Sequence, residues 1–251
     1  MGNGTTTGWV SGTVEITNSN PVIGAAGPFG AALTLPSSRT LRIKDNSQYV
    51  QLDAGATLSF TGGKLDLTSK KLIATDGDIG EWNGSNYTGI TGQIKTGRNG
   101  GAWNGSGIMT SEPLAASQLT TLAVATAAQT GKLSFGGVPV SGNDVLVMYT
   151  WTGDANLSGS IDGDDFLQID AGLFGDLKGY FNGDFDYSGT VDADDYFLID
   201  RAYARQTAPF SSGEIAESSI AAVPEPAGAT LIAAAAALLL RRRRAALNQR
   251  T

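Results

Sequence analysis

The chain of 251 residues contains no cysteine and no histidine. The first absence removes disulfides, thiolate nucleophiles and zinc fingers; the second removes the commonest general base and the usual imidazole ligand of transition metals. Ser-His-Asp and Cys-His chemistry are therefore excluded. Basic side chains are also scarce where acidic ones are dense. Residues 1–153 balance nine acids against nine bases, whereas residues 154–200 carry twelve Asp against the single Lys178. Such a field repels phosphate backbones and attracts cations, which argues against a nucleic-acid partner and for a cation site.

Ahead of that segment the sequence is built of short alternating stretches. Residues 40–44 (TLRIK), 49–53 (YVQLD), 56–60 (ATLSF) and 64–68 (KLDLT) each place two apolar side chains on one face at period 2, and Gly, Asn, Ser and Asp separate them. The paired residues are Leu41 with Ile43, Val50 with Leu52, Leu58 with Phe60 and Leu65 with Leu67. Further strands are predicted near 121–125, 132–140 and 144–151, with a short helix over 88–97. The expected fold is mainly β over residues 1–152, a short β-solenoid or a β-sandwich, followed by a small α-helical module and a C-terminal hydrophobic helix. Two carboxylates suffice for a glycosidase. Asp78 and Glu81 beside Trp82 are the nearest to a pair, yet no motif marks an acid and a nucleophile, so the chain is not expected to be an enzyme. Trp82, Tyr87 and Trp103 lie among Gly, Asn and Ser, a mixture that either stacks on sugar rings or anchors loops. The alternative reading, an accessory or catalytic component of extracellular polysaccharide breakdown, rests on that mixture.

The acidic segment is a duplication. GDANLSGSIDGDD (153–165) recurs as GDFDYSGTVDADD (183–195), and aligning 153–170 with 183–200 gives nine identities in eighteen positions. Each copy fits a twelve-residue calcium loop, with oxygen ligands at positions 1, 3, 5, 7, 9 and 12 and glycine at 6. The first set is Asp154, Asn156, Ser158, the Ser160 carbonyl, Asp162 and Asp165, around Gly159. The second is Asp184, Asp186, Ser188, the Thr190 carbonyl, Asp192 and Asp195, around Gly189. Calcium is satisfied by six to eight oxygens and needs neither imidazole nor thiolate, so two Ca2+ ions are expected. Ser at position 5 and Asp in place of Glu at position 12 lower the ligand charge and shorten the reach. Ile161 and Val191 at position 8 are apolar, as if the loops pair back to back. Apolar residues after each loop predict an exit helix, while the stretch before the first loop, VLVMYTWTG, is strand-like.

A loop with only its exit helix, present twice over residues 153–205, resembles the type I dockerin domain. The resemblance implies two loop-helix units with one calcium each, docking onto a cohesin-like or other surface protein, often in polysaccharide-degrading assemblies. Residues 206–222, rich in Ser and Ala, read as a linker. Residues 223–244 resemble the PEP-CTERM sorting signal: Val223, Pro224, Glu225 and Pro226, an apolar helix over 226–240 that enters the membrane, then Arg241 to Arg244. That resemblance implies export, recognition by an exosortase-type processing enzyme, and delivery to the cell surface or extracellular matrix of a Gram-negative bacterium. Residues 1–10 carry neither the basic nor the apolar stretch of a secretory signal, so an exported chain is expected to extend beyond Met1.

Overall fold

The computed structural model describes residues 12–16, 20–24, 31–44 and 47–211. All of them lie in one compact unit, Met1–Ile215. Residues 223–244, including the apolar stretch 226–240, and most of the linker lie outside the described residues. No helix among the described residues is long and apolar enough to cross a membrane.

Eight strands come first: β1 (Gly12–Ile16), β2 (Val22–Ile23), β3 (Ala32–Pro36), β4 (Arg39–Ile43), β5 (Tyr49–Leu52), β6 (Thr57–Thr61), β7 (Lys64–Asp66) and β8 (Lys71–Ala74). Helix α1 (Gly89–Arg98) follows, then β9 (Gly107–Met109), the single turn α2 (Pro113–Ala116), β10 (Thr120–Thr126) and the single turn α3 (Ala127–Thr130). The hairpin β11 (Ser134–Phe135) and β12 (Val138–Pro139) turns through Gly136 and Gly137, both at positive φ as such a two-residue turn requires. Strand β13 (Val145–Trp151) leads into the acidic segment, which carries α4 (Gly163–Gly175) and α5 (Ala193–Tyr203).

The fold class differs from the sequence expectation. In place of a mainly β body with a helical module appended, the described residues have mixed α and β content, with five α-helices and several sheets that contain parallel strands. One sheet, β1-β4-β7-β9, is parallel throughout, and β3 pairs with β6 in parallel. A third sheet, β10-β13-β8-β5-β2, is mixed: β2, β5 and β8 run parallel, and β13 lies antiparallel to both β8 and β10. The physical reason is that period-2 alternation marks single strands and is silent both on the single-turn helices α2 and α3 set between them and on which strands share a sheet. Leu41 and Ile43, Val50 and Leu52, and Leu65 and Leu67 are indeed all buried, but Leu41 pairs with Leu65 and Leu65 with Ile108, all in one direction. Helix α1 packs on β9 and buries Ile90 and Ile94. Its Gly97 has no room for a side chain, because a Cβ there would stand 2.0 Å from the Ile108 carbonyl oxygen.

Every residue of β13 is buried, and so is every residue of β10 except Thr126. Strands covered on both faces read as continuous apolar or small-residue runs, as VLVMYTW does. The acidic segment packs against this pair: the Tyr187 hydroxyl donates to the Leu122 carbonyl at 2.5 Å, and the Tyr180 hydroxyl accepts the Gly153 N–H at 3.1 Å.

Candidate metal centre

Strand β13 delivers the chain into Asp154, and the same hydrogen-bond frame is then built twice. Asp154 Oδ1 accepts the Ser158 N–H at 2.9 Å and its Oδ2 accepts the Gly159 N–H at 2.8 Å; Asp184 accepts Ser188 N–H at 2.8 Å and Gly189 N–H at 2.9 Å. At the other end of the loop, Asp165 Oδ1 takes the N–H groups of Ala155 (2.8 Å) and Asn156 (3.3 Å), and its Oδ2 that of Asp162 (2.9 Å). Asp195 repeats this with Phe185 (2.7 Å), Asp186 (3.1 Å) and Asp192 (3.0 Å). The final carboxylate thus closes the loop and, with Asp162 or Asp192 as N-cap, completes a reciprocal capping box that starts the exit helix.

Glycine is required at position 6 for two reasons. Gly159 has φ +98° and Gly189 φ +95°, and a Cβ would meet the Phe210 carbonyl oxygen at 1.7 Å in the first loop and the Trp82 ring at 2.4 Å in the second. The two units also seat on each other. Ile169 of α4 packs against Gly183 at the entry of the second loop, and Ile199 of α5 against Gly153 at the entry of the first.

In the second loop Asp184, Asp186 and Asp195 each present a carboxylate oxygen, all within 4.8 Å of one another, with Asp184 and Asp195 buried and Asp186 half-buried. Among the described residues this is the one group of three or more acidic side chains that could hold a metal ion. The first loop brings two buried carboxylates, Asp154 and Asp165, with Asn156 where Asp186 stands in the second. The position-5 hydroxyl lies beside the position-7 carbonyl in both: Ser158 Oγ donates to Ser160 O at 3.0 Å and Ser188 Oγ to Thr190 O at 3.1 Å. Asp162 and Asp192 are exposed, each accepting a helix N–H at 2.9 Å from Asp164 or Asp194. All these donors are oxygens, the chemistry of a hard cation.

Burial governs the electrostatics. Desolvation pushes the Asp154 carboxyl up to about 6, against the opposing pull of the Thr150 hydroxyl and the loop N–H groups. It pushes Asp184 up to about 6 in the same way, with the Tyr87 hydroxyl opposing and the charge of Asp186 adding to the rise. Asp165 and Asp195 are pushed up to about 7, chiefly by burial, with their neighbouring carboxylates adding to it. Without a cation, these buried groups hold their protons toward neutral pH.

Several partners of the loops escape a reading of the sequence. The Thr150 hydroxyl donates to Asp154 Oδ2 at 2.5 Å, and the Tyr87 hydroxyl donates to Asp184 Oδ2. Arg98 Nη1 donates to the Asp186 carbonyl at 2.9 Å. The only signal for Thr150 is a hydroxyl four residues ahead of the loop, and nothing local marks Tyr87 or Arg98. As for the three aromatics weighed as sugar platforms, Tyr87 and Trp103 are buried. Trp82 carries Lys95 over its ring at 4.6 Å and has Gly189 against it. At position 8, Ile161 and Val191 are both buried, and the Ile161 N–H and C=O are bonded by the Gln206 side-chain amide at 2.9 and 2.7 Å. No family model, no curated protein and no solved structure matches the chain.

Proposed function

We propose that the chain is an exported cell-surface or matrix protein that binds two calcium ions through a dockerin-like pair of loop-helix units, one ion at Asp154, Asn156, Ser158, Ser160, Asp162 and Asp165 and one at Asp184, Asp186, Ser188, Thr190, Asp192 and Asp195. The observation that carries the reading is the convergence of Asp184, Asp186 and Asp195 inside a hydrogen-bond frame that the first loop repeats. Calcium suits these donors better than magnesium, because carboxylate, amide, hydroxyl and backbone carbonyl oxygens on a loop give a large and irregular shell. The ions stabilise the folded chain, and the exit helices serve protein docking. Leu167 and Phe174 on α4 and Phe197 and Tyr203 on α5 are exposed, which supports docking onto a cohesin-like or other surface protein. Export and anchoring rest on the sequence pattern of residues 223–244 alone.

The test is calorimetric titration of the full chain with Ca2+ and with Mg2+, paired with thermal melts. Two calcium sites are expected, each adding about 2.7 kcal/mol of stability at a hundred times its Kd. Asp154→Ala and Asp184→Ala should each abolish one site. Absence of heat, with melting indifferent to chelator, overturns the proposal.

A further inference from the structure

The second acidic loop is held by a part of the chain 97 residues away in sequence. Tyr87 lies between β8 and α1, buried, with its ring edge-on to Trp82 at 5.1 Å. Its hydroxyl donates to Asp184 Oδ2 and accepts the Gly179 N–H at 2.8 Å, so it ties the first carboxylate of the loop to the backbone that enters it. Around it, Arg98 bonds the Asp186 carbonyl and Trp82 covers Gly189. The first loop is arranged differently. There the matching oxygen, Asp154 Oδ2, takes its hydroxyl from Thr150, four residues upstream on the strand that enters the loop.

The same carboxylate oxygen is therefore fixed locally in one loop and remotely in the other. Asp184 Oδ2 receives two donors, the Tyr87 hydroxyl and the Gly189 N–H, which together set the orientation of its carboxylate. Outer donors of this kind orient a metal ligand, and their loss typically costs ten- to a hundredfold in metal affinity. We propose that Tyr87 is a positioning residue of the second metal site, which makes that site a composite of the β8–α1 segment and the loop, while the first site depends on Thr150 instead. The inference rests on the metal reading above and names a residue outside the twelve-position pattern. Coupling is reciprocal, so a cation at the second site also steadies Tyr87 and the turn that carries it.

The experiment is calcium titration of the full chain with one site removed at a time. In an Asp154→Ala background, where only the second site remains, Tyr87→Phe is expected to weaken binding by about ten- to a hundredfold. In an Asp184→Ala background, the same change is expected to leave the remaining site as it was, and Thr150→Val to weaken it. If Asp154→Ala does not fold, Asn156→Ala disables the first site through a less buried ligand. A tyrosine that only supports the fold lowers the melting temperature in chelator without separating the two affinities. Equal effects on both sites, or none on the second, overturn the inference. Failure of the parent chain to take up calcium overturns the metal reading instead, so the two failures are distinguishable.

Discussion

Four of the buried aspartates, all in the acidic loops, make the stability of the chain depend on pH. Asp154, Asp165, Asp184 and Asp195 all hold their protons above the ordinary value of 3.8, up to about 6 or about 7. Between about pH 4 and pH 7 the folded chain without a cation therefore binds more protons than the unfolded chain, and its stability falls as pH rises through that window. Melting in chelator is expected to drop from about pH 4.5 to about pH 7.5. Saturating calcium should remove the drop, because the cation takes over the compensation that protons give at low pH. A chelated chain that grows more stable across that range would contradict this assignment of the carboxylates. The residues that set up this balance are small in number. Gly159 and Gly189 let the loop N–H groups turn onto Asp154 and Asp184, and the capping aspartates add the rest.

Among the elements, each loop is also covered by a segment outside its own repeat. The second is covered by Trp82 and Tyr87 of the segment between β8 and α1 and by Arg98 at the end of α1. The first is closed by the strap after α5, where Gln206 takes both main-chain groups of the buried Ile161 and the Phe210 N–H donates to the Gly159 carbonyl at 2.8 Å. Phe210 also sits against the rings of Tyr149 and Trp151 at 5.2 and 5.3 Å, and the Trp151 indole donates to the Ala208 carbonyl at 3.0 Å. Gln206→Ala leaves a buried N–H and C=O without their partners and is expected to cost about 1–3 kcal/mol. Since the bonds it removes pin the backbone just after Arg205, trypsin should cut there faster. Limited digestion followed by mass spectrometry measures it, and an unchanged rate would show that Phe210 and Ala208 hold the strap without Gln206.

At the scale of the whole molecule, what the sequence made legible is local and what it hid is remote. Glycine spacing, period-2 alternation and the Asp-x-x-Asp capping pattern are set by neighbours a few residues apart, so the loops, their exit helices and the inward faces of β4, β5 and β7 could all be read. Pairing direction and partner choice are not encoded that way. Lys64 pairs with Thr40 on one side and with Gly107 on the other, across an intervening helix, and no residue in β7 announces either. Tyr87 was hidden for the same reason, its role being defined by an aspartate far down the chain. The burial of Tyr187 and Phe185, both at 0% exposure, makes the acidic segment part of a larger packing unit. An excised piece spanning 150–205 keeps its loops but loses Tyr87, Arg98 and the Leu122 carbonyl as partners. It is expected to melt well below the full chain even in saturating calcium, by circular dichroism, and equal melting would show that the residues ahead of 150 add nothing to it. The seating of Ile169 on Gly183 and of Ile199 on Gly153 has a mechanical consequence. Tension applied along the chain cannot peel one repeat away while the other stays intact, since each exit helix bears on the opposite entry. In a force-extension measurement the two repeats should rupture together as a single step, twice the contour length of one.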